Sequence, residues 1–123
     1  TGNKVEDFGV GFYTKYGDGG VDISPIADLL KSEVFKLAKH LGIISSIQNA
    51  KPTDGLWNDD RTDEDQLGAT YDELEWAMTY NEVKSSKNLS KRQLEVLDIY
   101  NKHHLVNQHK MLPIPVCKIP KDL

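Results

Sequence analysis

The sequence predicts the helical half of an α/β domain. Stretches with helix-capping signals and apolar residues at helical spacing outnumber the convincing strands. A glycine-rich, aromatic segment opens the chain and a proline-rich tail closes it. Because an α/β domain packs its helices against a sheet, helices with little sheet are what remains when the front half of such a domain is absent.

The first two elements are a loop and an amphipathic helix. Residues 1–21 are rich in glycine and lack helical periodicity, which predicts a loop with a short strand near Phe12. The segment "IADLLKSEVFKLAKHLG", 26–42, predicts a helix, and Gly42 is placed where a left-handed C-cap belongs. Its apolar positions recur at helical spacing: Ile26, Leu30, Val34, Leu37 and Leu41.

The middle of the chain predicts a short helix and a loop, followed by a pair of short helices. The first two come from "IISSIQNAKPTDGLW", 43–57. Two capping signals follow, Thr62 with Asp65 and Thr70 with Glu73, where each side chain can accept from orphan helix N–H groups. They predict two short helices on either side of residue 68.

The last third predicts a loop, a helix and an extended tail. Residues 80–88 are polar and predict the loop. Ser90 with Gln93 forms a third capping signal at the start of "KRQLEVLDIYNKHHLV", 91–106. The tail "MLPIPVCKIPKDL" contains three prolines, which disfavour helix and favour an extended course.

Length and composition indicate one ordinary soluble domain, 1–123, without repeats or a dividing linker. Hydrophobic residues make up 38% and charged residues 28%. The net charge of −4 argues against nucleic-acid binding through the overall field. No run approaches the roughly 20 apolar residues that span a bilayer. The opening "TGNKVEDFGV" carries no initiator methionine, so we expect a fragment of a longer protein.

The only cysteine, Cys117, excludes an internal disulfide, and a reducing cytoplasm is the expected compartment. Its context "PVCKIP" offers no helix N-terminus or histidine neighbour, so we expect an inert thiol. The acidic run at 54–66 fails the EF-hand pattern, because loop position 6 falls on Asp59 where glycine is required. The histidines His103, His104 and His109 lack the paired spacing of zinc ligands, which favours a non-metal role.

Two features allow a functional and a plain interpretation. The loop "KYGDGGVD" matches neither common phosphate fingerprint and by composition is a surface turn. Lys15 and Asp22 nevertheless flank it as opposite charges, which suits a ligand with phosphate and hydroxyl or amide groups. Lys31 lies near a helix start, where the dipole disfavours a cation, yet lysine and helix N–H groups together can meet a phosphate.

In order and spacing, three groups of motifs resemble the C-terminal half of ammonia-dependent NAD synthetases, from Thr1 to about Pro115. The first is "TGNKVEDFGVGFYTKYGDGGVDISPIADLLKSEV", and "FYTKYGDGG" is its most specific part. The second is "PTDGLW" with "RTDEDQLGATYDELE", and the third is "HK" before "LPIP".

The resemblance implies a doubly wound, Rossmann-like α/β fold of the ATP-pyrophosphatase kind, in a homodimer with each deamido-NAD site at the subunit interface. It implies that ATP and Mg²⁺ adenylylate the nicotinate carboxylate of deamido-NAD with release of pyrophosphate. Ammonia then displaces AMP to give NAD. Cations on the departing pyrophosphate and exclusion of water from the acyl-adenylate are the physical demands of this chemistry.

The resemblance also implies roles for eight residues. ATP would be bound by Thr1, and Glu6 would be a magnesium ligand. Lys31 and Thr53 would hold the ATP phosphates and steady the transition state as catalytic residues. The residues implied for deamido-NAD are Lys15, Asp22, His109 and Lys110.

Three parts of the family pattern are not in this chain: the serine-glycine-glycine ATP loop, its magnesium carboxylate and an upstream arginine. We therefore expect the 123-residue chain alone to be inactive. Two alternatives remain at this point. The segment could come from a glutamine-dependent synthetase, although "PTDGLW" and "RTDEDQ" favour the ammonia form, or it could be a non-catalytic nucleotide-binding or assembly module.

Overall fold

A computed structural model of the chain describes residues 2–83 and 88–122. This part of the chain consists of helices and loops, with no β-strand. A π-helix lies near the start and five α-helices follow it. Their bounds are Val5–Val10 for the π-helix, then Lys31–His40 (α1), Ser45–Gln48 (α2), Asp63–Leu67 (α3), Tyr71–Val83 (α4) and Lys91–Met111 (α5).

The core lies where the π-helix, α4 and α5 pack together. Val5, Val10, Leu74 and Val96 are fully buried there. Burying each such side chain contributes roughly 1.5–3 kcal/mol, so this junction stabilises the fold and fixes the π-helix against α5. Around them lie Leu67, Ala69, Tyr71, Ala77, Met78 and Tyr100.

The prediction of a loop with a strand near Phe12 is wrong for residues 5–10, which form the π-helix. The Asn3 side chain starts it, because its Oδ1 accepts from the backbone N–H groups of Val5 and Glu6 at 3.0 and 3.3 Å. Gly11 ends it with φ of +64°. A Cβ at Gly11 would lie 2.4 Å from Cβ of Asn107 on α5, so the glycine permits close packing that local propensity does not reveal.

The amphipathic helix begins at Lys31 rather than at residue 26, because residues 25–28 form a turn and Leu30 is extended. Glu33 accepts from Leu30 N at 2.8 Å and so satisfies the new helix start. Gly42 has φ of +67°, which confirms the left-handed position after α1. None of the residues of α1 is buried, although the pattern predicted an apolar face.

The three capping signals are confirmed. Thr62 Oγ1 accepts from Asp65 N at 3.2 Å, Thr70 Oγ1 accepts from Glu73 N at 3.2 Å, and Ser90 accepts from residue 93 in the same way. The short helix after residue 43 is also confirmed as α2.

The loop predicted at 80–88 is wrong for its first four residues, because α4 continues to Val83. Residues 84–87 lie outside the described part of the chain. Helix α5 extends to Met111, five residues beyond the predicted end. His109 and Lys110 therefore lie in its last helical turn. Among the helices described, none has both the length and the apolar character needed to cross a bilayer.

Candidate functional site

The first group of site residues joins the π-helix to the start of α1. Lys31 Nζ donates a hydrogen bond to Glu6 Oε1 at 2.9 Å, and the two side chains are only 18% and 15% exposed. A backbone hydrogen bond from Lys4 N to Leu29 O at 2.8 Å ties the two segments together next to this pair. The structure thus brings together a carboxylate and an ammonium that lie 25 residues apart in the sequence.

Tyr71, the first residue of α4, completes this group. Its hydroxyl lies 2.5 Å from Glu6 Oε1 and 3.0 Å from Asp63 Oδ2. The Lys31 ammonium lies 4.6 Å from the centroid of its ring, within the range of a cation–π contact. We name Glu6, Lys31, Asp63 and Tyr71 the Tyr71 cluster.

Sequence reasoning missed Tyr71 and Asp63. Each stands at the first residue of a helix, directly after the capping threonine, and the capping pattern accounts for both positions locally. Asp63 is only 7% exposed, however, which is unusual for a helix-start aspartate that only caps. That burial is the signal of a further role, and it is visible only in the folded chain.

The electrostatics of the Tyr71 cluster favour an ionised Glu6. Burial opposes its charge, but hydrogen bonds from Tyr71 and Lys31 and the Lys31 charge outweigh burial and hold the pKa of Glu6 below its usual value. Burial, reinforced by the carboxylate neighbours, raises the pKa of the Tyr71 hydroxyl, so it keeps its proton at neutral pH. Burial also raises the pKa of Asp63, whose Oδ1 is buried and has no hydrogen-bond partner within the part of the chain that the structure describes.

A cavity of about 510 Å³ opens beside the Tyr71 cluster. Lys31 and Lys51 both line it, together with Ser32, Thr70 and Tyr71. The cavity lining is of mixed charge, because the carboxylates of Glu64 and Asp72 also line it. Lys31 and Lys51 are the cations that a phosphate in this cavity would contact. Lys51 was not among the predicted residues.

Thr53, predicted to hold phosphate, lies two residues beyond Lys51 but is engaged within its own loop. Its Oγ1 donates to Arg61 O and accepts from Gly55 N, both at 3.2 Å. Thr53 directly follows Pro52, which lines the cavity, but Thr53 itself is not among the lining residues. Its side chain makes no hydrogen bond to Lys31. Thr1, predicted to contact ATP, lies outside the described residues.

Glu6 fits a magnesium ion shared with phosphates. Its Oε1 accepts from Lys31 and Tyr71, whereas among the described residues Oε2 accepts only from Asn3 N at 3.1 Å and so keeps a lone pair. Within residues 2–83 and 88–122, no three or more His, Cys, Asp or Glu side chains are grouped to hold a metal by themselves. Mg²⁺ is commonly held by one or two carboxylates plus substrate phosphates, so a single carboxylate is compatible.

The second group of site residues joins the glycine loop to the end of α5. Lys15 Nζ donates to His109 O at 2.6 Å, and the Tyr13 hydroxyl donates to Lys110 O at 2.7 Å. Asp18 braces the turn by accepting from Thr14 N at 2.7 Å. Lys15, His109 and Lys110 are therefore brought together, whereas Asp22 is exposed at the far flank of the loop.

Three side chains at intervals of three on α5 hold successive carbonyls at the end of the π-helix. His104 Nδ1 contacts Gly9 O at 2.7 Å, and Asn107 Nδ2 donates to Val10 O at 2.8 Å. Lys110 Nζ donates to Gly11 O at 2.8 Å and to Tyr13 O at 2.6 Å. The last carbonyls of a helix lack partners within it, and α5 supplies them. We name these three side chains the carbonyl ladder.

A second cavity, of about 630 Å³, lies between the glycine loop, the segment at 54–56 and α5. Its volume is within the usual range for small-molecule sites, about 300–1,000 Å³. Aromatic and polar groups share its lining, which includes Phe12, Tyr13, Asp18, Leu56, His103 and Lys110. Burial lowers the pKa of His103, so its imidazole is neutral at neutral pH.

Comparison with known proteins assigns the chain to a family. The family model described as NAD synthase matches residues 1–112. The NH(3)-dependent NAD(+) synthetase of Syntrophomonas wolfei is 41% identical over 123 residues, which is 100% of this chain and 45% of that protein. The synthetase of the same name from Methanococcoides burtonii is 53% identical over 75 residues, 61% of this chain and 28% of that protein.

A solved structure supports the same assignment at the level of the fold. The structure of NMN synthetase from Francisella tularensis matches with a TM-score of 0.76 and 34% identity, over 98% of this chain and 45% of that one. This match confirms that the helices are part of the α/β synthetase fold expected from the sequence. The chain spans less than half the length of the curated relatives described here. By sequence and by fold, the chain belongs to the NAD synthase family.

Proposed function

We propose that this chain forms part of an ammonia-using NAD synthetase, a ligase that amidates deamido-NAD at the expense of ATP. ATP adenylylates the nicotinate carboxylate and releases pyrophosphate, and ammonia then displaces AMP to leave the amide. The observation that carries the proposal is the Glu6–Lys31 pair at 2.9 Å beside a cavity lined by Lys31 and Lys51. It supplies an anchored carboxylate and cations where a polyphosphate needs both.

In the first step, Lys31 would stabilise the negative charge that develops on the phosphates, and Glu6 would be the residue that holds Mg²⁺. The ion would supply charge neutralisation at the bond that breaks between the α and β phosphates. Thr53 and Thr1 would complete the ATP contacts. Rotation of the Thr53 hydroxyl away from Arg61 O would free it, because that bond is long at 3.2 Å and exposed.

Deamido-NAD would occupy the side of the molecule where the glycine loop meets α5. Lys15 and Asp22 flank the loop, and His109 and Lys110 lie at the end of α5. The cavity of about 630 Å³ beside them has room for part of a dinucleotide. We further propose that the enzyme works as a homodimer in the cytoplasm.

A chimera tests the proposed function directly. The aligned segment of the S. wolfei synthetase is replaced by residues 1–123 of this chain, and NAD formation from deamido-NAD, ATP and ammonia is measured. We expect ATP-dependent NAD synthesis and release of AMP and pyrophosphate. Lys31→Ala should lower the adenylylation rate far more than the affinity for deamido-NAD. A folded chimera that binds both substrates and makes no NAD would contradict the proposal and favour a non-catalytic module.

The neighbour titled NMN synthetase raises a second candidate, in which the amide is formed on a mononucleotide. The same chimera discriminates between the two. We expect a higher kcat/KM with deamido-NAD than with the corresponding mononucleotide acid, and the reverse order would favour the second candidate.

A further inference from the structure

We propose that Tyr71 is a positioning residue for the ATP half-reaction, whose hydroxyl fixes the Glu6 carboxylate and whose ring supports the Lys31 ammonium. The proposal rests on the proposed function, because it assigns to Glu6 and Lys31 the metal and phosphate roles given there. It adds a residue for which the sequence motifs gave no role.

The geometry carries the first step of the argument. One side chain contacts both groups, with its hydroxyl 2.5 Å from Glu6 Oε1 and its ring centroid 4.6 Å from Lys31 Nζ. Glu6 also pairs with Lys31 directly. The three groups therefore form a closed triangle, and neither the carboxylate nor the ammonium can move without breaking a contact to Tyr71.

Tyr71 is itself held in place by several contacts. The residue is only 5% exposed, and its backbone N–H donates to Glu64 Oε1 at 2.8 Å. Asp63 Oδ2 lies 3.0 Å from the hydroxyl, and this contact is buried. A hydroxyl has one hydrogen to donate and can also accept a hydrogen bond. Contacts to the carboxyl groups of both Glu6 and Asp63 therefore fix the orientation of the Tyr71 hydroxyl. Tyr71 is thus a rigid support rather than a surface side chain.

The same burial makes a purely structural role the rival explanation. If Tyr71 only filled the core, Phe would replace it with little consequence for the site, because the ring and its packing remain. If Tyr71 positions Glu6, removal of the hydroxyl alone must weaken metal binding. Outer partners of metal ligands typically affect metal affinity about 10–100-fold, which sets the scale of the expected change.

The contribution of the Tyr71 ring to the Lys31 ammonium is tested by measuring the chemical reactivity of the lysines in the 123-residue protein. The 123-residue protein is treated with a lysine-acylating reagent, and modification at each lysine is followed by peptide mass spectrometry. In Tyr71→Leu the ring is lost, and we expect Lys31 to react about two- to fivefold faster, the scale of a cation–π contact. In Tyr71→Phe the ring remains and Lys31 should react as in the wild type. Lys39, exposed on α1, is the internal reference, and faster reaction at every lysine would report unfolding instead.

The hydroxyl is tested with Mn²⁺ and ATP, which need not be turned over. Free Mn²⁺ is titrated by EPR in the presence of ATP and the chimera carrying Tyr71→Phe. We expect the apparent Kd for Mn²⁺ to rise roughly 10-fold, while the KM for deamido-NAD stays at the wild-type value. Tyr100→Phe is the matched control, because this buried tyrosine makes no described hydrogen bond to Glu6, Lys31 or Asp63.

The outcomes separate this inference from the proposed function. Equal Mn²⁺ affinity in wild type and Tyr71→Phe, with unchanged Lys31 reactivity in a folded Tyr71→Leu, overturns the positioning role while NAD synthesis stands. A wild-type chimera that makes no NAD contradicts the proposed function, and lysine reactivity and Mn²⁺ binding still decide the role of Tyr71. Equal losses in Tyr71→Phe and Tyr100→Phe show a core role only and also overturn it.

Discussion

At the scale of single residues, the hydrogen-bond partners of Glu6 and Lys110 explain how each side chain is held in its partly buried position. Glu6 keeps its charge despite burial because Tyr71 and Lys31 donate to it. Lys110 is the corresponding example of a partly buried cation. Burial lowers the pKa of its ammonium, and the carbonyls of Gly11 and Tyr13 accept its hydrogens. Its proposed role toward deamido-NAD therefore comes from a lysine that also holds the loop in place.

The pair formed by Glu73 and Arg92 gives a pH prediction. Hydrogen bonds from Arg92, at 2.7 and 2.8 Å, lower the pKa of Glu73 from 4.5 to about 2. The unfolded carboxyl binds its proton near 4.5, so the stabilisation is present above that pH and is lost as the pH falls from 4.5 to about 2.

We therefore expect Glu73→Gln to lower the free energy of unfolding at about pH 7 and to have progressively less effect on acidification, as measured by urea unfolding at a series of pH values. Glu82→Gln is the matched control, because Glu82 is an exposed glutamate on the same helix without an ion pair among the described residues. A Glu73→Gln effect that stays constant from neutral to acid pH would contradict the assigned cause.

At the scale of elements, the packing of the π-helix on α5 determines where the glycine loop begins. The carbonyl ladder ties this helix end to α5, and Gly9 and Gly11 let the two backbones approach. A Cβ at Gly9 would lie 3.2 Å from the Tyr100 ring. The loop that carries Lys15 follows directly, so the register of α5 against the π-helix sets the position of a proposed substrate contact.

Two glycines of similar φ test this packing. Gly11 and Gly42 have φ of +64° and +67°, but a Cβ meets Asn107 at 2.4 Å in the first case and nothing within 4 Å in the second. Alanine at either position incurs a left-handed penalty of about 1–2 kcal/mol. We expect Gly11→Ala to cost about 1–3 kcal/mol more than Gly42→Ala, the usual scale of overpacking. Chemical denaturation of both variants measures the difference, and equal losses would mean that the contact with α5 imposes no steric demand.

At the scale of the whole molecule, the helices bury one side of the fold and leave another uncovered within this chain. None of the residues of α1 is buried, and its apolar side chains continue into the next segment. The exposed ones are Phe35, Leu37, Leu41, Ile43, Ile44 and Ile47. Monomeric soluble proteins rarely expose contiguous apolar patches of large size.

We expect the 123-residue chain to bind the dye ANS at this surface, because the dye becomes fluorescent on exposed apolar groups. Leu41→Glu with Ile44→Glu should reduce the fluorescence and leave the free energy of unfolding within about 0.5 kcal/mol, since both side chains are already exposed. Lys39→Glu changes charge on the same helix and serves as the control. Unchanged fluorescence in the double variant would locate the dye elsewhere.

The sequence by itself determined the local features and the family. Caps at Thr62, Thr70 and Ser90 and the left-handed Gly42 depend on interactions within a few residues, and all are present in the structure. The motifs around Lys15 and Lys31 also identified the family, which the comparisons confirm.

Only the tertiary structure decided how the site is assembled. Tyr71 lies 65 residues from Glu6, and Lys110 lies 99 residues from Gly11, so no local pattern pairs them. The π-helix likewise depends on glycines that fit against α5, although local propensity counts them against a helix. The physical reason is the same in each case: capping and periodicity are short-range, whereas buried hydrogen bonds and close backbone packing exist only once distant segments meet.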